Sequence, residues 1–448
     1  MNEIVFPRNM LGDLRRRLLS HSPNEAAAVL LAGHSRTDHR VRLLVRECAV
    51  VSAEQYTTQQ PLQLLVSPAF IAPLLKRARN DGLSLIFVHT HPFSDGDVWF
   101  SPTDDKGEAV MMPSVFARAA DRPHGSLVLG LNGWNARIWN SPQSKPQPIH
   151  RMVECGEALL YSVRTARIQQ KSEAFDRNIR AFGAEGQAAL RELVVAIVGL
   201  GGTGSIVAQE LAHLGVGQFI FIDHDRVETT NLNRVVGADP DAVGRPKADV
   251  ACDLVERITG RRPRAVVEDV TSMAVSRELL DADLMMCCTD SHGSRAVINQ
   301  IAYQYMIPAI DMGVRIDVAE AAVSSVSGRV QMLAPSLPCL HCHNVLDPEL
   351  VRRDFLTDDE RSRDQYIVGE RIPQPAVISL NGTVSSMAVT MMLAATTGFP
   401  SRPRHQVFMG IPGVVRAVQS VPTKNCITCS LQGGLARGDA WPLLGRPA

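Results

Sequence analysis

Residues 193–204 read LVVAIVGLGGTG. An unbroken apolar run of this length suits a strand buried on both faces. It enters a glycine-rich turn at Gly199, Gly201, Gly202 and Gly204, and the helical spacing of Val207, Leu211 and Leu214 predicts a helix directly behind it. Glycines let the main chain approach an anion closely, and the helix start offers free amide hydrogens, so this order of elements is a phosphate cradle. A second apolar run, QFIFID at 218–223, puts Asp223 about 20 residues after the loop, where a carboxylate can hold a ribose hydroxyl. Further buried strands are expected at 282–289 and 308–312. Strands alternating with helices predict a mostly parallel, doubly wound α/β sheet. Up to this point a hydride-transfer dinucleotide site and an ATP site fit equally.

The residues that follow separate the two. Asp223-His-Asp225 leads to Asn231-Leu-Asn-Arg234, then to Gly244-Arg-Pro-Lys247, Cys288-Thr-Asp290, Arg295 and Asn299. Hydride transfer needs no such group of cations. Cleavage at the α-phosphate of ATP does, because Arg234 and Lys247 can neutralise charge that grows on the phosphates and Asp290 can hold Mg²⁺. Two Cys-x-x-Cys pairs, Cys339/Cys342 and Cys426/Cys429, have the arithmetic of a closed, structural four-cysteine zinc site. The other five cysteines suit small buried positions, and an odd total argues against a disulfide framework.

From about Arg177 to Cys429 this pattern resembles the ThiF/MoeB-type adenylating family, which includes ubiquitin-activating enzymes. The resemblance rests on Arg177-Asn-Ile-Arg180, Gly186-Gln187, the glycine loop, Asp223, the Asn-Leu-Asn-Arg run, Lys247, Thr289-Asp290 and both cysteine pairs. It implies a Rossmann-like domain in which Asp223 contacts ribose, Asn231, Arg234 and Lys247 contact ATP, Asp225 lines the same site, and Asp290 serves Mg²⁺. Arg180 would reach the phosphates of a neighbouring subunit, which implies a homodimer. The implied reaction adenylates the C-terminal glycine of a ubiquitin-like or sulfur-carrier protein ending in Gly-Gly. Many relatives carry a thioester cysteine after the first pair. Here His343–Asn381 contains none, so the chain either stops at the adenylate or forms a thioester elsewhere.

The N-terminal third has a different pattern. A buried strand is expected at 83–89, running into His89-Thr-His91-Pro92. Histidines at i and i+2 on an extended segment point the same way and can share one metal ion. Ser101-Pro-Thr-Asp104 offers a third ligand and leaves a fourth position open for water, while Glu25 opens an earlier apolar strand and can serve as general base. Together these resemble the JAMM/MPN (JAB) metalloprotease family over residues 1–140. The resemblance implies zinc on His89, His91 and Asp104, proton transfer by Glu25 and oxyanion contact by Ser101. The spacing from His91 to Ser101 is longer than the family's common pattern, and Ser94-x-x-Asp97 also fits the short motif, as a second choice.

SPQSKPQP at 141–148 reads as a linker, giving domains 1–140, 141–150 and 151–448, with helices expected from the linker to about Arg191. Lys+Arg and Asp+Glu are 46 each, so no global basic field for nucleic acid exists. No signal peptide or membrane-length apolar stretch is read, and a cytoplasmic location is expected. The combined expectation is a bifunctional enzyme of a bacterial ubiquitin-like conjugation system, using ATP, Mg²⁺ and two zinc ions, with a conjugating enzyme as a possible further partner. The rivals are sulfur-carrier activation for cofactor or siderophore synthesis, and a carrier-binding scaffold with an inactive JAMM fold.

Overall fold

A computed structural model describes residues 1–163, 173–320, 322–357, 360 and 375–446. The chain forms two compact units. The first comprises Met1–Ala166, Gln304–Met306 and Leu431–Pro442, and the second comprises Arg167–Tyr303, Ile307–Ser430 and Leu443–Ala448.

The first unit holds strands β1 (Asn2–Pro7), β2 (Ala27–Arg36), β3 (Val41–Val50), β4 (Tyr56–Gln60), β5 (Gln63–Val66), β6 (Ser84–Thr90), β7 (His124–Leu129), β8 (Trp134–Trp139), β9 (Gln147–Pro148), β10 (Arg151–Cys155) and β11 (Leu159–Val163). Nine of them make one mixed sheet in the order β11-β10-β1-β3-β2-β6-β7-β8-β9, and β4–β5 is a separate hairpin. Helices α1 (Met10–Leu19), α2 (Pro68–Asp81) and α3 (Pro102–Phe116) complete it. α2 starts where Ser67 places its hydroxyl to accept the Ala69 amide at 3.3 Å, with Pro68 at the first position. One core gathers Ile4, Phe6, Leu30, Leu43, Ile86 and Leu127.

The observed fold departs from the expected one at residues 141–163. Residues 141–148 do not separate two domains: Gln147–Pro148 form β9, which pairs with β8 at the sheet's edge. Beyond it, Arg151–Val163 are not helical but form β10 and β11, with β10 parallel to β1. Prolines and polar residues mark an edge strand as readily as a linker, because an edge strand tolerates a missing donor. Sequence spacing alone does not separate the two.

In the second unit, α4 (Asp176–Glu192) precedes β12 (Val194–Val198), α5 (Gly202–Leu214), β13 (Gln218–Ile222), α6 (Lys247–Thr259) and β14 (Arg264–Val266). Then come α7 (Met273–Glu278), β15 (Leu284–Cys287), α8 (His292–Gln304), β16 (Ala309–Ala319), β17 (Ala322–Leu333), α9 (Pro348–Asp354), α10 (Ile378–Thr396), β18 (His405–Met409) and β19 (Val414–Ala417). The sheet order is β14-β13-β12-β15-β16-β17-β18-β19. The stretch from β14 to β16 is parallel and doubly wound as expected, while β16 to β19 pair antiparallel. The parallel half reverses direction of growth at β12, and in open α/β sheets that switch point opens a crevice at the strands' C-terminal ends.

The 19-residue helix α10 is long and apolar enough to cross a membrane by length and composition, which the sequence reading did not foresee. Half of its apolar window is buried, and it packs on α5, β16 and β17. The acidic-basic run 347–363, whose density of charge predicts a solvated loop, begins with α9, capped by the Asp347 carboxylate on the amides of Glu349 and Leu350. Residues 358–359 and 361–374 of that crossover lie outside the described residues.

Candidate functional site

In the first unit β2 and β6 run antiparallel with Ala27 opposite His89. This register brings Glu25, just ahead of β2, to the end of β6. Main-chain bonds hold it there: its amide donates to Gln60 O at 3.2 Å and its carbonyl accepts from Gln59 Nε2 at 3.0 Å. His89 and His91 leave the strand on one side, ring centroids 5.0 Å apart. Asp104 enters from the first turn of α3, and its position explains the Ser-x-x-Asp spacing. Ser101 is the N-cap: its hydroxyl accepts the Asp104 amide at 3.1 Å and its own amide donates to Asp104 Oδ2 at 2.6 Å. This reciprocal cap fixes the carboxylate.

The structure therefore brings His89, His91, Asp104 and Glu25 together. Asp104 Oδ1 lies 3.2 Å from His89 Nε2, Asp104 Oδ2 lies 3.5 Å from His91 Nε2, and Glu25 Oε1 lies 3.7 Å from the same His91 nitrogen. His89 Nε2 is buried and makes no aligned hydrogen bond. Ligand atoms converging without hydrogen-bonding each other fit a shared cation, and two imidazoles with one carboxylate is a catalytic-zinc donor set. Asp104 joins the cluster and Asp97 does not. Burial works to raise the Asp104 pKa, but its contacts with His89 and His91 outweigh it and hold the carboxyl well below the usual range. Burial pushes Glu25 the other way, above the ordinary carboxylate value, which suits a proton carrier. Sequence reasoning missed Phe93, stacked on His91 at 5.2 Å, and Phe100, edge-on to His89 at 6.3 Å. Only the fold shows these.

In the second unit the glycine loop leaves β12 at the switch point. Gly199 has φ of 87°, and a side chain there would press on Cys288 O. A side chain on Gly202 would collide with Asn381 Nδ2, whereas Gly201 faces open space. Asn381 is buried, and Ser385 one turn later donates its hydroxyl to Thr203 O at 3.1 Å, so α10 backs the loop. Neither residue was singled out by sequence. Asp223, at the end of β13, accepts the amides of Leu200 at 2.6 Å and Asp225 at 2.8 Å, tying the two strand ends together. Burial raises its pKa despite those bonds.

Asn231 is buried and accepts the Glu228 amide at 3.2 Å. Arg234 donates to Thr230 O at 2.5 Å, with its Cδ beside Gly202. Lys247, the first residue of α6, pairs with Asp225 Oδ2 at 2.8 Å. Asp290 is exposed just beyond β15, on the other flank of β12. Arg180 is not joined to this group: among the described residues its ion pair is with Asp176, 2.8 Å away on its own helix. Arg295 and Asn299 were expected with the phosphate-binding cations and serve elsewhere. Arg295, partly buried, pairs with the buried Asp311 at 3.1 Å, and Asn299 Oδ1 accepts the Leu340 amide at 2.9 Å.

The ThiF family pattern matches residues 175–428, more than half the chain. The chain belongs to the ThiF family. It is 29% identical to ubiquitin-like modifier-activating enzyme 5 of Oryza sativa over 226 residues, 44% of this chain and 51% of that protein. It is 32% identical to the SAMP-activating enzyme E1 of Haloferax volcanii, over 36% of this chain and 56% of that protein. With the molybdopterin-synthase adenylyltransferase of Salmonella typhimurium it shares 31% identity, over 37% of this chain and 64% of that protein. The chain thus spans between about half and two thirds of the length of these relatives.

The ThiF-family unit also assembles its four cysteines. Cys339 lies 3.6 Å from Cys342 and 3.5 Å from Cys426, and Cys342 lies 3.5 Å from Cys429, sulfur to sulfur. Zinc–sulfur bonds of about 2.3 Å in a tetrahedron set sulfurs apart by nearly this distance, so the donor set fits zinc with no position open. All nine cysteines are free. Burial raises the thiol pKa of Cys252 to about 12 and lifts those of Cys287 and Cys288, so none of the three is a ready nucleophile.

Proposed function

We propose that the ThiF-family unit uses ATP to adenylate the C-terminal carboxylate of a small carrier protein, and that the first unit is a JAMM-type zinc peptidase acting on the same carrier. The observation that carries the first half is the placing of the glycine loop, Asp223 and Asp290 at the C-terminal ends of the neighbouring strands β12, β13 and β15, with Arg234 beside Gly202 and Lys247 paired to Asp225. A carboxylate oxygen of the carrier attacks the α-phosphorus, the bond to the bridging oxygen breaks, and pyrophosphate leaves with that electron pair. An acyl-adenylate remains. Amides at the start of α5 with Arg234 and Lys247 stabilise charge gathering on the phosphates. Asp223 holds ribose, Asn231 and Asp225 shape the pocket, and Asp290 holds Mg²⁺, which supplies charge neutralisation. Lys247 must leave Asp225 to do so, which the exposed carboxylate permits. Arg180 acts from a second subunit of a homodimer.

Two carriers fit equally. Relatives named as a ubiquitin-like modifier-activating enzyme and as a molybdopterin-synthase adenylyltransferase support, respectively, a modifier and a sulfur carrier. The lack of cysteine from His343 to Asn381 supports release of the adenylate to another protein, such as a conjugating enzyme or a sulfur donor.

In the first unit, His89, His91 and Asp104 would hold zinc, which supplies Lewis acidity at a carbonyl and acidifies water. Glu25 takes the proton from attacking water and returns it to the leaving amine. Ser101 fixes Asp104 and keeps its hydroxyl hydrogen for the substrate oxygen.

The test is ATP–pyrophosphate exchange with carriers ending in Gly-Gly or extended beyond it. Wild type should use both forms, and Glu25→Gln only the trimmed one. Exchange with the extended carrier undiminished by Glu25→Gln would remove the processing role. Exchange with neither would remove the adenylation reading.

A further inference from the structure

The C-terminal segment Leu431–Pro442 follows the cysteine cluster directly, yet belongs to the first unit. Its fit there is tight. Gly438 has φ of 54°, and a side chain on it would strike His34 O, while one on Gly33 would strike Ala436 O. The Asp439 amide donates to His34 O at 2.7 Å, and the Asp439 carboxylate accepts the Arg36 amide and the Tyr305 hydroxyl, each at 3.0 Å. Arg46, buried on β3, donates to Leu431 O at 2.6 Å and to Leu435 O. The segment therefore lies against the C-terminal part of β2 and the middle of β3, and β2 is the strand that begins beside Glu25.

Its starting point is fixed by the cysteines. Ser430, the residue between Cys429 and Leu431, donates its hydroxyl to Cys426 O at 2.8 Å and its amide to the same oxygen at 3.3 Å. A chain anchored one residue from its binding surface has little entropy left to lose, whereas freeing the anchor restores that cost.

We infer that Leu431–Pro442 is a clamp on the first unit, and that metal in the four-cysteine site sets its hold. Loss of zinc from a site in the ThiF-family unit thereby loosens β2 and β3, whatever reaction either unit performs.

Amide hydrogen exchange on the full chain tests this. Gly438→Val, or the milder Asp439→Ala should the first not fold, is expected to speed exchange across residues 28–50 by at least about tenfold, the loss of one hydrogen bond to a charged group. Residues 194–222 should exchange as in wild type. Stripping zinc from a chain that carries His89→Ala and His91→Ala, so that only the cysteine site is emptied, should speed residues 28–50 similarly, and adding Zn²⁺ should restore them. Unchanged exchange at 28–50 in the clamp variants, or after zinc removal, would overturn the proposal.

Discussion

The two sites are built on opposite plans. At the end of β6 the polar atoms already converge, with Asp104 within 3.5 Å of both imidazoles. At the switch point two cations are occupied locally, Lys247 with Asp225 and Arg234 with Thr230 O. A metal ion has a fixed bond length and gives its ligands little room, so the protein must set them in advance by strand geometry and a helix cap. A nucleotide is large and highly charged, and can draw side chains out of weak, exposed pairs as it binds.

The largest effect that would break this contrast comes from Asp104→Ala. It should abolish peptide cleavage and lower bound zinc from two ions per chain to one, as read by metal analysis. Retention of both ions would mean the preset site is not a metal site. Lys247→Ala should lower pyrophosphate exchange about 10²–10³-fold, the scale of one lost charge-stabilising donor, with little change in fold. A variant equally active in exchange would show that Lys247 stays with Asp225 during turnover.

Acid should also weaken the first unit. His124 Nδ1 accepts the Leu85 amide on β6, and burial lowers its pKa to about 4. The unfolded chain binds that proton near the ordinary value of 6.5, so the contribution is complete above about pH 6.5 and lost as pH falls toward 4. It amounts to about 3 kcal/mol. His124→Gln should flatten the pH dependence of the first unit's melting temperature over that window, and an unchanged slope would assign the acid sensitivity elsewhere. The smallest effect sharpens the role of Ser101. Losing the cap in Ser101→Ala should cost about 1 kcal/mol of stability and weaken zinc binding modestly. A fall in kcat well beyond the loss in zinc occupancy would place the hydroxyl on the substrate oxygen as well.

Local rules made much of this chain legible. The glycine loop, its flanking apolar strands and the His-x-His pair each state their geometry within a few residues, because strand and helix periodicities fix where neighbouring side chains point. The Ser67 cap of α2 is equally local, because a cap needs only the right side chain beside the first helical turn. Where local signals allow two outcomes, sequence did not choose: the last two residues of SPQSKPQP joined the sheet as an edge strand, and Arg295 turned to the buried Asp311 instead of toward phosphate.

By itself, then, the sequence determined the His-x-His pair, the glycine loop and the two cysteine pairs, since these need only the right residues at short spacing. Tertiary structure decided the pieces separated by long stretches of chain. It set Glu25 against His91 through the β2–β6 register, placed Asn381 behind Gly202, and returned residues 431–442 to the first unit. Contacts across hundreds of residues depend on which surfaces bury each other, and burial is a property of the whole fold that no short stretch of sequence carries.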